Sequence, residues 1–128
     1  MQSDAAAGDG HQPPLRILIV DDHEVSRAVL RALLRTEGAE VADVRTGDEA
    51  IAAAVAFRPG TAIVDVTPGD AAGFAMASRL RSLPNGPAVV LTSSARSSRF
   101  GPELGNYRFV AKADVCARTV RNLAPADG

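Results

Sequence analysis

The stretch from Thr61 to Val66, which reads Thr-Ala-Ile-Val-Asp-Val, limits the possible folds of this chain more than any other. It is short, apolar and rich in β-branched residues, and residues 58–60 and 67–69 on either side of it contain proline and glycine. Such a run is typical of a strand that is buried on both faces of a parallel sheet. A carboxylate, Asp65, stands near its end, where open α/β sheets bind their ligands. We therefore take Asp65 as the candidate chemical centre.

Four more apolar runs, separated by segments with helical periodicity, continue this pattern. Strands that alternate with helices predict a parallel sheet covered by helices on both faces, which is an α/β three-layer sandwich. The second strand alternates weakly, so we place it near a sheet edge. The predicted strands are Leu15–Val20, Val41–Arg45, Thr61–Val66, Ala88–Leu91 and Arg108–Ala111.

Four helices are predicted between and after these strands. The first ends at Gly38 and has Asp22 as a candidate cap; the second opens with the capping-box spacing of Thr46 and Glu49. The third runs from about Gly73 to Ser82, and the last is capped by Asp114. Residues assigned to apolar faces are Val25, Ala28, Val29, Ala32 and Leu33; Ala50, Ile51, Ala54 and Val55; Met76, Ala77, Leu80 and Leu83; and Cys116, Val120 and Leu123.

The segment from Ala95 to Arg108 is the least regular part of the predicted domain. It contains two glycines and Pro102, so we expect a degenerate fourth helix, with at most one turn that begins at Pro102. Few buried contacts are expected there. We therefore predict that residues 95–106 are the most mobile part of the fold and become ordered on activation.

Length and composition narrow the class of protein. The 128 residues fit one domain, which we place at residues 15–124, with residues 1–14 as a disordered leader and 125–128 as a short tail. The single cysteine excludes a disulfide framework and a thiolate metal cluster. A formal net charge of -1 gives no reason to expect direct nucleic acid binding. No membrane-length apolar run or signal peptide is seen, so we expect a cytoplasmic protein.

Polar residues recur at the carboxyl ends of the predicted strands. Asp21 and Asp22 end strand one, Asp65 ends strand three, Thr92 follows strand four, and Lys112, the only lysine, ends strand five. These ends lie on one edge of a parallel sheet, so the side chains are expected to converge. Three packed carboxylates imply a hard cation such as Mg²⁺, and a carboxylate beside Mg²⁺ can accept a phosphoryl group. A lysine ammonium and a hydroxyl can neutralise the oxygens of that group.

These residues resemble the receiver domain of two-component response regulators. The resemblance rests on Ile-Leu-Ile-Val-Asp-Asp-His, Ala-Ile-Val-Asp-Val, Val-Val-Leu-Thr-Ser and Phe-Val-Ala-Lys, and it covers Leu15 to about Leu123. It implies a flavodoxin-like (βα)5 fold with strand order 2-1-3-4-5. It also implies a receiver of the stand-alone type in a phosphorelay.

The resemblance implies roles for particular residues. Asp65 corresponds to the phosphoacceptor, Asp22 to the direct ligand of Mg²⁺ (or Mn²⁺), and Asp21 to a ligand that acts through metal-bound water. Thr67 would offer its backbone carbonyl to the metal. The remaining correspondences are Thr92 as the switch hydroxyl, Lys112 as the ion-pairing lysine, and Phe109 as the switch aromatic.

Several positions depart from the family pattern. Pro68 lies three residues after the acceptor, and Gly69 takes the place where the family usually has proline. Ala72 replaces an aspartate that is common before the glycine matched by Gly73. The segment from Thr92 to Lys112 is also short, and its helix is broken. The catalytic set is complete, and the face that carries the signal away from it is altered.

The function implied is a phosphoacceptor that takes its phosphoryl group from a histidine kinase or a histidine phosphotransfer protein. It would catalyse its own phosphorylation and dephosphorylation rather than turn over a free substrate, and it would switch the binding of a protein target or form a homodimer. A pseudo-receiver that only binds proteins is the main alternative. A haloacid dehalogenase-type phosphatase is less favoured, because that chemistry usually needs a second aspartate where this chain has Thr67. Flavin binding and a phosphodonor role for His23 are disfavoured by the acidic loop after strand one.

Overall fold

A computed structural model describes residues 13–123. The predicted leader and tail therefore lie outside the described residues, apart from residues 13 and 14, and the domain boundaries at 15 and 124 stay predictions. Five strands form one parallel sheet: β1 Arg16–Val20, β2 Glu40–Val44, β3 Thr61–Asp65, β4 Ala88–Ser93 and β5 Arg108–Ala111. Their order is β2-β1-β3-β4-β5, which confirms the flavodoxin-like arrangement and the edge position of β2.

The core lies on both faces of the sheet because alternate residues of the central strands point in opposite directions. On one face Leu18, Val64 and Leu91 pack with α2 (Gly47–Phe57) and α3 (Ala71–Arg81). On the other face Ile17, Ile63 and Val90 pack with α1 (Glu24–Thr36) and α4 (Ala117–Leu123). Residues 61–64 of β3 are buried on both faces, as the apolar run predicts.

The predicted apolar face of α1 is wrong. Val25, Val29 and Leu33 are 77%, 59% and 39% exposed, whereas Leu30 and Leu34 are buried. The helix carries two neighbouring apolar rows, and spacing alone does not choose between them. In the observed rotation Leu30 and Leu34 pack against the sheet, and Arg27 and Arg31 each contact Oδ2 of Asp43 on β2 at 3.0 Å. The predicted end of α1 is confirmed, since Gly38 has φ +93° just after the C-cap.

The predicted starts of two other helices are wrong. The third helix begins at Ala71 rather than Gly73, because the Asp70 side chain accepts a hydrogen bond from the Ala72 amide at 3.0 Å and caps it. Asp114 does not cap the last helix, which begins at Ala117 after a 3₁₀ turn at Lys112–Asp114. Cys116 therefore precedes that helix, half-buried. The capping box of α2 is confirmed.

No α-helix connects β4 to β5 within residues 13–123, which confirms the degenerate fourth helix. Two single 3₁₀ turns, Ser97–Arg99 and Pro102–Leu104, take its place where one turn was predicted. Phe100 lies between the turns and is buried. Its ring packs at 5.9 Å from Phe74 and at 5.7 Å from Phe109, measured between centroids. Phe100 is therefore the most deeply buried attachment of this mostly exposed segment, and the half-buried Ala95, Leu104 and Tyr107 also pack against the core.

Candidate functional site

The carboxyl edge of the sheet brings the predicted polar residues together. Asp21 directly follows β1, Asp65 is the last residue of β3, and Lys112 directly follows β5. Thr92 belongs to β4, which extends to Ser93, and it stands in register with Asp65. Residues up to 91 positions apart in the sequence therefore contact one another at this edge.

Lys112 joins two of the carboxylates. Its Nζ lies 3.1 Å from Oδ1 of Asp65 and 3.2 Å from Oδ2 of Asp21, and its side chain is only 17% exposed. Both carboxylates are more deeply buried than this, at 9% and 1% exposure. Unpaired charges at such depth would be costly, so the ammonium group is the main protein counter-ion for the pair.

Asp21 is held by several donors. Its carboxylate accepts hydrogen bonds from the His23 amide at 2.9 Å and from the Ser26 hydroxyl at 2.8 Å, in addition to Lys112. Burial opposes ionisation, but these donors and the lysine charge together hold the pKa of Asp21 below its ordinary value. Arg27 donates to the backbone carbonyl of Asp21 at 2.9 Å, which fixes the loop. Asp21 is therefore an ionised, structurally fixed anion.

Asp65 has the opposite shift. Burial raises the pKa of Asp65, the negative charge of Asp21 adds to this, and Lys112 and His23 only partly offset it. A carboxylate with a raised pKa is a stronger base and a better nucleophile than an ordinary aspartate. The two carboxylates beside Lys112 therefore differ: hydrogen-bond donors hold the pKa of Asp21 low, whereas burial raises the pKa of Asp65.

Asp22 is free of the contacts that hold Asp21. Its side chain is 75% exposed, and the N-cap of α1 is His23, with no hydrogen bond from a capping side chain. The predicted capping role of Asp22 is therefore wrong. Its carboxylate faces the solvent beside the other two, where its oxygens remain available to a ligand.

The sequence interpretation missed three neighbours of the site: His23, Ser26 and Arg27. His23 contacts all three carboxylates of the site. Its Nδ1 lies 3.3 Å from a carboxylate oxygen of Asp21, 3.2 Å from one of Asp22 and 3.4 Å from one of Asp65. One ligand atom from each of these four side chains lies within 4.8 Å of every other. The sequence feature that indicates His23 as a site residue is its position directly after the Asp-Asp pair. The sequence interpretation gave this histidine only a disfavoured phosphodonor role.

Thr92 carries a buried hydroxyl without a partner. Its Oγ1 is the one buried side-chain oxygen or nitrogen in the described part of the chain that makes no hydrogen bond. An unsatisfied hydroxyl at this depth costs roughly 1–3 kcal/mol. Such a cost is tolerated where a ligand supplies the missing partner, and Thr92 stands in register with Asp65.

The loop after β3 closes the other side of the site. The Thr67 carbonyl accepts a hydrogen bond from the Asp70 amide at 3.0 Å, and Gly69 between them has φ +82°. This matches a type II turn, in which Pro68 takes the first central position and glycine the second. The carbonyl keeps one lone pair for a further ligand. An open cleft of about 440 Å³ lies between this loop and Asp21, Asp22 and Asp65.

Phe109 lies away from the cleft. It is half-buried on β5 and contacts Phe100. The predicted switch aromatic therefore adjoins the two 3₁₀ turns, whereas Thr92 stands in register with Val110 rather than with Phe109. None of the helices within residues 13–123 is long and apolar enough to cross a membrane.

Comparison with known proteins gives a single family. The family model described as the response regulator receiver domain matches residues 17–114. A protein-glutamate methylesterase/protein-glutamine glutaminase 2 from Anaeromyxobacter dehalogenans is 37% identical over 87 residues, which is 66% of this chain. This chain spans only about a quarter of that relative, 26% of its length.

Two solved structures have the same fold. A putative response regulator from Chloroflexus aurantiacus has a TM-score of 0.69 and 27% identity, and the alignment covers 87% of this chain and 98% of that one. The structure of the histidine kinase ThkA in complex with the response regulator protein TrrA gives a TM-score of 0.64 at 23% identity, covering 76% of this chain and 84% of the matched chain.

Proposed function

We propose that this chain, which belongs to the response regulator receiver domain family, accepts a phosphoryl group on Asp65 from a phosphohistidine donor. The observation that carries the proposal is that Lys112 bridges Asp65 and Asp21 at 3.1 and 3.2 Å. The Thr92 hydroxyl, in register with Asp65 and without a hydrogen-bond partner among residues 13–123, supports it. The test is labelling of the purified chain by acetyl phosphate with Mg²⁺. Stoichiometric labelling supports the proposal, and no labelling would favour a pseudo-receiver that only binds proteins.

The transfer requires an ionised Asp65. A carboxylate oxygen of Asp65 forms the new O–P bond, the N–P bond of the phosphohistidine breaks, and the electron pair of that bond returns to the donor imidazole, which takes up a proton. Lys112, with Nζ at 3.1 Å from Oδ1 of Asp65, favours the ionised form and so offsets part of the rise in pKa that burial causes. Because the pKa of Asp65 is raised, its carboxylate is the more nucleophilic of the two that Lys112 contacts.

The product needs its charge compensated. The ammonium group of Lys112 loses part of its pairing with Asp65 on phosphorylation and can turn to a phosphoryl oxygen. The Thr92 hydroxyl can donate to a second oxygen and so gain the partner that it lacks. The expected result is a small movement of Thr92 toward the acceptor.

The side chains present fit a divalent metal ion. Asp21, Asp22 and Asp65 each bring a carboxylate to one side of the cleft, and three such groups need a cation beyond Lys112. We propose that these residues and the Thr67 carbonyl hold Mg²⁺ or Mn²⁺, with Asp22 as a direct ligand. The bound cation supplies positive charge for the phosphoryl oxygens.

Replacement of Asp22 by asparagine is expected to weaken Mg²⁺ binding more than the same replacement of Asp21. Asp22 is exposed and free to ligate, whereas the oxygens of Asp21 already accept from His23, Ser26 and Lys112. We expect Asp22→Asn to lose tenfold or more in Mg²⁺ affinity by calorimetry and Asp21→Asn to lose less. Asp48→Asn is the control, because Asp48 is 99% exposed on α2. Equal losses for the two site variants would contradict this ranking.

The exposed apolar row of α1 is the proposed docking surface for the phosphodonor. Val25, Val29 and Leu33 form this row, and α1 begins directly after His23 at the edge of the cleft. A helix that presents a phosphohistidine to Asp65 would therefore lie against this apolar row of α1. We propose a histidine kinase or histidine phosphotransfer protein as the partner, like the kinase that accompanies a regulator of the same fold. The downstream target, a homodimer and a cytoplasmic location stay predictions.

Val29→Glu is expected to slow phosphotransfer from the protein donor about tenfold or more, because it places a charge in the docking surface. Labelling by acetyl phosphate should not change, since that donor needs no docking. Val55→Glu is a matched control: Val55 is 67% exposed, close to the 59% of Val29, but lies on α2. The measurement is the transfer rate from whichever kinase in a purified panel labels the wild type fastest. Equal slowing in both variants would place the donor elsewhere.

A further inference from the structure

The imidazole of His23 is the feature of this edge that the proposed phosphotransfer does not use. Its Nδ1 lies 3.2 to 3.4 Å from a carboxylate oxygen of each of Asp21, Asp22 and Asp65. The backbone amide of His23 donates to Asp21 at 2.9 Å, which fixes the chain from which the ring extends. The ring makes no capping hydrogen bond to α1, although His23 occupies the N-cap position. Helix capping therefore does not explain the position of this nitrogen.

The spacing of the four groups is that of a ligand set. Two ligands on opposite sides of a small divalent ion are about 4.2 Å apart, twice a bond of about 2.1 Å. The three carboxylates and Nδ1 of His23 already lie within 4.8 Å of one another. The difference from 4.2 Å is at most about 0.6 Å, which rotations of the exposed Asp22 and His23 side chains can take up. The ring is 66% exposed, so no buried packing opposes such a movement.

The choice of donor atoms affects which ion is preferred. Carboxylates and carbonyls suit Mg²⁺, whereas an imidazole nitrogen favours first-row transition ions such as Mn²⁺, Co²⁺ and Zn²⁺. From this geometry we propose that His23 is a nitrogen ligand at the metal site, and that it makes this receiver select a divalent transition ion over Mg²⁺. The inference rests on the metal site of the proposed function and adds to it a ligand and a class of ion.

The test compares two ions in three proteins. Wild type, His23→Ala and His11→Ala are titrated with Co²⁺, followed by its visible absorption, and with Mg²⁺, followed by calorimetry. His11 is the only other histidine of the chain, so His11→Ala is the matched control. Loss of a group that merely orients a ligand costs about 10–100-fold in metal affinity, and loss of a ligand should cost no less. We therefore expect His23→Ala to lose tenfold or more for Co²⁺, with little change for Mg²⁺ and none in His11→Ala.

Direct coordination has its own spectroscopic signature. Electron spin echo measurements on the Mn²⁺-loaded wild type should show coupling to a nitrogen, which should vanish in His23→Ala and persist in His11→Ala. Absence of nitrogen coupling, or an unchanged Co²⁺ affinity in His23→Ala, would overturn the inference. Tighter Co²⁺ binding in that variant would also overturn it, because it would show that the ring acts as a competing cation.

The same samples separate this inference from the proposed function. If the wild type is labelled by acetyl phosphate with Mg²⁺ but shows no nitrogen coupling with Mn²⁺, only the role of His23 fails. If nitrogen coupling is present but Asp65 is never labelled, the proposed phosphoacceptor fails and the metal site stands. If the wild type binds no divalent ion, the ligand role of His23 and the metal site of the proposed function both fail.

Discussion

Asp65→Asn is expected to abolish phosphorylation completely while leaving the fold intact. An amide oxygen cannot form the acyl phosphate. Among residues 13–123 the only other carboxylate that contacts Lys112 is that of Asp21, which is held by the His23 amide and Ser26. The measurement is acid-labile, hydroxylamine-sensitive labelling by acetyl phosphate. Asp70→Asn is the control, because Asp70 lines the same cleft but caps α3. Full labelling of Asp65→Asn would move the acceptor elsewhere, with Asp70 as the first residue to examine.

The same variant should be more stable than the wild type in the absence of metal. Burial raises the pKa of Asp65 above its value in the unfolded chain. The folded state therefore binds the proton of this carboxyl group more tightly than the unfolded chain does. The stability gained in this way is fully present below the unfolded pKa of about 3.9, and it is lost as the pH rises through the folded pKa. At neutral pH the ionised group destabilises the fold, and asparagine removes that effect. We expect a gain of a few degrees in Tm at pH 7 that shrinks toward pH 4.

Much of the site was predictable because, in a parallel sheet, residues that end different strands lie at the same edge. Once Asp21, Asp65 and Lys112 were placed at strand ends, the parallel sheet required them to meet at one edge. The order of the strands could not be predicted from the residue patterns. Apolar runs identify strands but do not say which strands are neighbours, so order 2-1-3-4-5 came from the resemblance rather than from residue patterns.

Several of the errors concern contacts between distant segments. In the observed rotation of α1, Arg27 and Arg31 contact Asp43, and no helical period contains that information. At the start of α4, Oε1 of Glu37 accepts a hydrogen bond from the Ala117 amide across 80 residues. His23 was missed because a histidine beside two aspartates is ambiguous until the third carboxylate, Asp65, is placed next to it.

Phe100→Ala is expected to have the largest effect on stability of any single change in the segment between β4 and β5. Phe100 is the only buried residue of the segment 94–107, and its ring packs between Phe74 and Phe109. Truncation of a buried phenylalanine costs about 3–5 kcal/mol, although partial collapse of this surface segment favours the lower end. We expect a loss of about 3 kcal/mol in the free energy of unfolding by urea. Phe57→Ala, half-buried on α2 outside this cluster, should cost less.

Hydrogen exchange shows whether the same side chain carries the signal. The two 3₁₀ turns leave most of residues 95–106 exposed, so their amides should exchange fast, with protection only around Phe100. A phosphoryl mimic such as beryllofluoride should increase protection across residues 95–106 in the wild type, because we expect activation to order this segment through the contact of Phe100 with Phe109. Phe100→Ala should bind the mimic yet show no such gain. Strong protection of the whole segment before activation would contradict its predicted mobility. An equal gain of protection in Phe100→Ala would show that the aromatic contact of Phe100 is not needed for the ordering.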